Sequence, residues 1–356
     1  MNDAFNSQAL IIARESRGYS QAEVGRAAGL SQGHISKVEN DVLGLTSEQV
    51  ERVARFLEYP PQFFYEPGQL RDGASVCHYH RKRKTLPAKV LNKVNATMFA
   101  RNVAVRHLLN GIEIAGPRQF HSLDPDEYGS PTAVARAMRQ AWRIAPGPIR
   151  DLTGVIESAA GIVILAPFGN RKLFGMSCWP TRDHPLFFLN AEISTADLRW
   201  TMAHELGHLI MHGTPSTNDV EAEADEFAAE FLTPAIEITP QLQSLRFEQL
   251  GPLKMHWRVS MKTLIRRGDD LSCYSHDHAV RLYKRYSAAR YNEREPYDIP
   301  AETPTLLARA AEVHVQDHKY AVGELQTAIR TIRPDEFTQI TGIVPASSRG
   351  GLSAVR

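Results

Sequence analysis

His204-Glu205-Leu206-Gly207-His208 is the stretch from which the fold and chemistry of this 356-residue chain are best inferred. Two histidines four residues apart lie about 40° apart around a helix and roughly 6 Å along it, so both imidazoles can reach one Zn²⁺. Glu205, about 100° away, would border the open metal position, where a water of pKa about 7 can pass a proton to it. The pattern predicts a zinc hydrolase site with His204 and His208 as ligands and Glu205 as general base. The alternative is a helix that carries two surface histidines.

The residues before this motif predict the elements that would position it. Residues 185–190 (PLFFLN) are typical of a short buried strand that ends in a turn residue. Ser194 is typical of a helix N-cap and predicts a helix over 195–211. The apolar residues of that helix form one face, namely Leu198, Met202, Leu206, Leu209 and Ile210. His212 follows it, and we expect a C-terminal cap there rather than a ligand.

Two histidines leave a catalytic zinc site one protein ligand short. The next predicted helix, 221–232 (EAEADEFAAEFL), supplies two candidates, Glu221 and Glu223. Glu221 shares a side with Ala224, Asp225 and Ala228, so it could bind the metal while Asp225 orients a histidine. A one-residue error in helix phase would favour Glu223 instead. The sequence therefore predicts Glu221 as third ligand and keeps Glu223 as the alternative.

Residues 204–208 (HELGH) and 221–234 (EAEADEFAAEFLTP) resemble the signature of the ImmA/IrrE metallopeptidases. That signature is H-E-L-x-H, a short loop, and E-x-E-A-[DN]-x-F-A-x-E-x-L-M-P, and Thr233 departs from it where methionine is usual. Residues 253–261 (LKMHWRVSM) are similar to the segment that follows. The resemblance covers roughly 75–305 and implies a zincin-like fold, a zinc site of two histidines and one glutamate, and Glu205 as general base. It also implies cleavage of a repressor protein to release transcription.

A second pattern occupies residues 20–40 (SQAEVGRAAGLSQGHISKVEN). Ser20 and Ser31 are typical N-caps, and Gly29 suits the left-handed backbone of a turn between two short helices. This is a helix-turn-helix pattern, with residues 32–37 as the recognition helix facing the DNA major groove. Over residues 7–65 it resembles the Cro/CI-type repressor domain (the xenobiotic-response-element family). The candidate DNA contacts are Gln21, Gln32, Gly33, His34, Ser36 and Lys37. The alternative is a helical pair used only for protein contact.

Charge bears on the DNA hypothesis in two ways. Residues 1–68 carry six Lys/Arg against nine Asp/Glu, whereas DNA-binding domains are usually basic, so dimerisation or further basic surface is needed. Residues 69–107 carry nine Lys/Arg and one acid. The densest run could contact phosphate and consists of Arg81, Lys82, Arg83 and Lys84. A solvated surface or an acidic partner is the alternative interpretation of this patch.

Chain length and the positions of proline and glycine divide the chain into four predicted segments. These are the helix-turn-helix domain 1–68, a basic linker and helix 69–115, the zinc peptidase domain 116–305, and a helical C-terminal region 306–356 with a disordered tail. The predicted fold class is α+β and mainly helical, with an all-α lambda-repressor-like bundle at the N-terminus. Strands expected at 161–165, 175–179 and 186–189 would form a small sheet beside the zinc helix. Helices are also expected over 87–114 and around 313–332.

Composition favours a cytoplasmic protein. Apolar stretches fall far below the ~18 residues of a membrane span, and the start lacks a signal segment. Three scattered cysteines do not form a disulfide framework, which favours a reducing compartment. We therefore expect a homodimer that binds double-stranded DNA and Zn²⁺ and has no membrane partner.

Two hypotheses of function follow. In the first, a DNA-bound zinc endopeptidase cleaves a repressor or antitoxin protein. In the second, a transcriptional regulator or antitoxin-like module uses its zinc domain to sense a ligand and cleaves nothing. The complete H-E-x-x-H favours the first, because a sensor does not need Glu205. The attached helix-turn-helix favours the second, because a repressor-cleaving enzyme need not bind DNA itself.

Overall fold

The computed structural model describes residues 4–70, 87–114, 116–179, 184–212 and 219–345. The basic run Arg81–Lys84 and the predicted disordered tail lie outside the described residues. The described residues form two compact units. The first unit consists of 4–70, 87–114 and 305–345, and the second lies within 116–304. Of the four predicted segments, the second and the fourth thus contribute their described helices to the unit that holds the helix-turn-helix. No helix in these ranges is both long and apolar enough to cross a membrane.

The first unit is all-helical. Its elements are α1 Ser7–Arg17, α2 Gln21–Ala28, α3 Gln32–Glu39, α4 Ser47–Leu57, a 3-10 turn Pro61–Tyr65, α5 Ala88–Leu109, α15 Leu306–Gln316, α16 Val322–Ala328 and α17 Pro334–Thr341. Ser20 forms a capping box with Glu23, and Ser31 caps α3 by accepting from the His34 N–H. Gly29 ends α2 with φ of +73°, a backbone conformation that glycine adopts without strain. The predicted caps and turn of the helix-turn-helix are therefore present.

Buried ion pairs join distant segments within this unit. The Glu336 carboxylate, on α17, accepts from Arg17 of α1 and lies 3.4 Å from Arg101 of α5. The Glu66 carboxylate, which is 3% exposed, accepts from His107 and Arg330 at 2.7 Å each. These contacts hold α1, α5 and the C-terminal helices together, so this unit is larger than the helix-turn-helix alone.

We expect the stability of this unit to fall in acid partly through Glu66. Burial opposes ionisation of Glu66, but hydrogen bonds from His107 and Arg330 outweigh burial and lower its pKa. An unfolded glutamate titrates near pH ~4.3, so the stabilisation is complete above that pH and is lost as pH falls through the lower folded pKa. Glu66→Gln should therefore flatten the acid side of a plot of thermal midpoint against pH. A Glu66→Gln slope as steep as wild type would contradict this, and exposed Glu58→Gln is the control.

The second unit is a small sheet surrounded by helices. The strands are β1 Ile162–Ala166, β2 Gly175–Cys178 and β3 Leu186–Asn190, in the order β1-β3-β2. β1 runs parallel to β3 with Ile164 opposite Phe188, and β2 runs antiparallel to β3 with Met176 opposite the same residue. The helices are α6 Pro125–Tyr128, α7 Pro131–Ala141, α8 Leu152–Glu157, α9 Thr195–Met211, α10 Val220–Leu232, α11 Ala235–Leu242, α12 Leu250–Trp257, α13 Met261–Asp270 and α14 His276–Ala288. This confirms the predicted fold class, mainly helical α+β with an all-α N-terminal bundle and a small sheet.

Helices α9 and α10 form the centre of the second unit, because both pack their apolar faces into its core. That core includes Leu206, Phe227 and Phe231. A Cβ on Gly207 would lie 3.1 Å from the Phe227 ring, so a glycine here allows α10 to approach α9 closely. The observed bounds of α9 match the predicted 195–211, with Ser194 accepting from the Asp197 N–H.

Two predicted helices differ from the observed ones at their ends. The helix expected over 87–114 stops at Leu109, because Asn110 takes an extended conformation. The helical stretch expected around 313–332 is interrupted, because it holds the end of α15 and the whole of α16, with Lys319 at φ of +60° between them. Pro334 begins a further helix, α17, beyond that stretch, at a position where proline is tolerated.

Candidate metal centre and nucleic-acid interface

Three side chains from α9 and α10 converge on one point. His204 Nε2 and His208 Nε2 lie 3.0 Å apart. Glu221 places Oε2 3.6 Å from His204 Nε2 and Oε1 3.5 Å from His208 Nε2. The ligand atoms of these three side chains all lie within 4.8 Å of one another, which is close enough to hold one metal ion. They are the group of this kind in the part of the chain that the structure describes. The one-turn spacing on α9 and the tight α9–α10 packing produce this convergence.

The donor set fits a zinc ion. Zinc–nitrogen and zinc–oxygen bonds of about 2.0–2.1 Å at tetrahedral angles put neighbouring ligand atoms about 3.4 Å apart, close to the separations found here. Glu221 Oε2 is buried and has no hydrogen-bond partner among the residues that the structure describes. Buried polar atoms are ordinarily paired, and a metal cation at this point would provide the partner of this oxygen.

The structure places the two candidate glutamates differently. Glu221 faces the histidine pair, whereas Glu223 Oε2 lies 2.8 Å from His212 Nε2. His212 caps α9 through its backbone N–H, as expected, and its ring Nδ1 lies 2.9 Å from His208 Nδ1. Glu221 is therefore positioned to be the third ligand, and Glu223 and His212 stand behind His208.

Glu205 is buried next to this cluster. It is 2% exposed, and its Oε2 accepts a hydrogen bond of 2.6 Å from Ser177 Oγ on β2. Burial raises the pKa of Glu205 to about 7, with His204 and Ser177 acting in the opposite direction. A carboxyl group titrating near neutrality can both accept and release a proton. Ser177 is not predicted from the sequence as a site residue, although it is a polar residue in an otherwise apolar strand expected beside the zinc helix.

Asp225 lies where a histidine-orienting residue is expected. Its Oδ1 is 3.0 Å from His204 Nδ1, and its Oδ2 accepts from Arg266 on α13 at 3.1 Å. Burial disfavours a charged His204, but the carboxylates of Asp225 and Glu221 prevail and raise its pKa to about 9. Burial lowers the pKa of His208 to about 3. The acidic surroundings of His204 thus favour a positive charge at this point, which a metal ion would supply.

The recognition helix carries an ordered chain of polar side chains. The Gln32 amide donates to Gln21 Oε1 at 3.0 Å, and the Gln21 amide donates to Glu39 at 2.7 Å. Glu39 is held in turn by Arg14. Gln32, Gly33 and Lys37 are exposed on α3, while His34 and Ser36 are half-buried. The Gln32 side chain is therefore oriented before DNA binds. Its amide nitrogen donates to Gln21, and its side-chain carbonyl oxygen can accept a hydrogen bond from a base.

Two described lysines of the basic patch lie beside the helix-turn-helix. Lys89 and Lys93 are exposed on the first turns of α5. Hydrogen bonds from Ser20 are the main cause that lowers the pKa of Glu23 on α2, and Lys89 adds to them. The Lys93 side chain passes Gly18, where an added Cβ would lie 3.8 Å from Lys93 Cδ. Some of the positive charge that the acidic N-terminal segment lacks is thus supplied by α5.

Two known protein families match two separate parts of the chain. Residues 10–64 match the helix-turn-helix family, and residues 157–268 match the IrrE N-terminal-like domain. No curated protein and no solved structure matches the chain. The chain therefore carries a helix-turn-helix fused to an ImmA/IrrE domain, which makes it a DNA-binding regulator with a domain of a metallopeptidase family. That family implies a metal ion, usually zinc.

Proposed function

We propose that this protein is a homodimeric, cytoplasmic transcriptional regulator whose ImmA/IrrE domain is a zinc-dependent endopeptidase that cleaves a repressor or antitoxin protein. The observation that carries the proposal is the convergence of His204, His208 and Glu221 beside the buried carboxyl group of Glu205. Three ligands leave one tetrahedral position open, which distinguishes catalytic from structural zinc sites.

The roles of the residues follow from their positions. Zinc held by the three ligands would lower the pKa of water and polarise the carbonyl of the bond to be cut. Ser177 donates to Glu205 Oε2 and so fixes the carboxyl group, which can accept a proton from the attacking water. The water oxygen bonds to the carbonyl carbon, the C–N bond breaks, and Glu205 returns the proton to the leaving nitrogen. A pKa near 7 suits Glu205 to both transfers.

The attached helix-turn-helix favours a second candidate function, in which the zinc domain senses a ligand and controls DNA binding without proteolysis. The buried Glu205 is the observation that favours the enzyme. A buried carboxyl group is costly, and metal binding alone gives it no task.

The two functions are separated by mapping newly formed protein N-termini in cells that make wild-type protein or His204→Ala. His204→Ala removes a zinc ligand, so the peptidase hypothesis expects at least one N-terminus, within a small DNA-binding or antitoxin protein, that only the wild type produces. Identical sets of N-termini, under conditions in which the wild type holds zinc and alters transcription, would favour the sensor.

For DNA, we expect Gln32→Ala to weaken binding to the cognate site by about 1–3 kcal/mol and to relax base preference. The ordered Gln32 side chain can present its amide to an adenine edge, and alanine cannot. The cognate site should be pseudo-palindromic with half-sites about one helical turn apart, because a dimer presents two recognition helices. Exposed Gln62→Ala in the same unit is the control. If Gln32→Ala binds the site as tightly as Gln62→Ala does, the helix pair does not read bases.

A further inference from the structure

We propose that His212 and Glu223 are positioning residues for zinc, forming a hydrogen-bonded relay that fixes the tautomer and orientation of His208. The inference rests on the proposed zinc site and assigns these two residues a task other than ligation. His212 follows the last turn of α9, and Glu223 lies on the first turn of α10, so the relay ties together the same two helices that supply the ligands.

The geometry of the relay is continuous. His208 Nδ1 lies 2.9 Å from His212 Nδ1, and His212 Nε2 lies 2.8 Å from Glu223 Oε2. The side chains of His208 and His212 are 0% and 1% exposed, and that of Glu223 is 16% exposed. Only the far end of the relay reaches water, and the rings of His208 and His212 lie within hydrogen-bonding distance of each other.

The placement of hydrogens on the ring nitrogens gives the relay a single direction. An ionised carboxylate only accepts hydrogen bonds, so His212 Nε2 carries a hydrogen toward Glu223. Neutral His212 then has a lone pair on Nδ1 and accepts from His208 Nδ1–H. His208 therefore has its own lone pair on Nε2, the atom that faces His204 and Glu221. The opposite arrangement would put a hydrogen on Nε2 of His208 and prevent it from binding a metal.

The other ligand has a shorter version of the same arrangement. Asp225 Oδ1 accepts directly from His204 Nδ1, so the Nε2 atom of that ring is turned toward His208 and Glu221, where a metal ion would take the place of its hydrogen. Each zinc histidine is thus oriented by a carboxylate of α10, His204 by Asp225 and His208 by Glu223 through His212. Such partners fix ring orientation, and removing one costs roughly 10–100-fold in metal affinity.

The test measures zinc affinity of the full chain by competition with a chromophoric chelator. We expect His212→Ala and Glu223→Ala to bind zinc about 10–100-fold more weakly than wild type. Glu223→Gln keeps an oxygen that can accept from His212 and should remain close to wild type. His276→Ala is the matched control, because His276 also pairs with a carboxylate (Asp269) in the same unit but is largely exposed. Unchanged affinity in His212→Ala, or equal losses in Glu223→Gln and Glu223→Ala, would overturn the relay.

A second measurement does not depend on metal or activity. In metal-free wild-type protein labelled with ¹⁵N-histidine, we expect His208 to carry its hydrogen on Nδ1 and His212 on Nε2. His212→Ala should remove that preference at His208 and leave the hydrogen bond from His204 Nδ1 to Asp225 in place. A hydrogen on Nε2 of His208 in the wild type would overturn the relay even if zinc binds. A wild type that binds no zinc but shows the expected tautomers would count against the proposed function and leave the relay standing.

Discussion

Glu205→Gln is expected to retain zinc and to lose about 10²–10⁴-fold in the rate of peptide hydrolysis, the usual contribution of a general base. Glutamine has nearly the shape of glutamate and can still accept from Ser177, so the surroundings of the site should persist. It cannot take a proton from water or return one to the leaving nitrogen. The measurement is the single-turnover rate on the protein identified by N-terminal mapping, with the zinc content of each sample determined in parallel.

The matched control for that experiment is Glu226→Gln. Glu226 is an exposed glutamate of α10 that accepts from Thr132, so its substitution makes the same chemical change outside the site. We expect the wild-type rate from Glu226→Gln. A zinc-loaded Glu205→Gln variant that hydrolyses the substrate at the wild-type rate would eliminate Glu205 as the base.

Glu336→Ala is expected to lower the free energy of unfolding of the first unit by about 3–5 kcal/mol, the usual cost of leaving buried charge without a partner. The side chains of Glu336, Arg17 and Arg101 are each at most 8% exposed. Removing the carboxylate leaves both guanidinium groups without the acid that holds them. Because α17 is 319 residues from α1 in sequence, the same substitution tests whether the C-terminal helices belong to the DNA-binding unit.

Asp335→Ala is the control for Glu336→Ala, because the adjacent Asp335 pairs with Arg333 on the surface and such pairs contribute about 0–1 kcal/mol. Stability is measured by urea denaturation, followed through retention of DNA binding and through tryptophan fluorescence. All four tryptophans lie in the second unit, so fluorescence reports on that unit. We expect DNA binding of Glu336→Ala to be lost at much lower urea than that of Asp335→Ala. Equal urea midpoints in the two variants would contradict the account.

The features that could be predicted from the sequence are those that depend on residues close together in the chain. Helix α9 matches its predicted bounds because Ser194 caps it and its apolar residues recur at helical spacing. The same spacing brings His204 and His208 onto one face. The choice between Glu221 and Glu223 depends on the phase of α10, which sequence leaves uncertain by one residue. The packing of α10 on α9 places Glu221, and not Glu223, beside the two histidines.

Other features depend on contacts between distant residues and could not be predicted in this way. Ser177 reaches Glu205 only because β2 packs beside α9, and Arg17 meets Glu336 only because α17 packs with α1. Helical periodicity shows that a segment is amphipathic but not which partner covers it. For that reason the C-terminal helices could be anticipated as helices, but their place within the DNA-binding unit could not.

The zinc content of the purified protein tests the central claim most directly. Metal analysis of wild type should find about one zinc per chain, the occupancy of a single three-ligand catalytic site. Glu221→Ala should hold far less zinc, because it removes the proposed third ligand. Wild-type protein that holds almost no zinc after purification in zinc-containing buffer, or a Glu221→Ala variant that holds as much as wild type, would contradict the account.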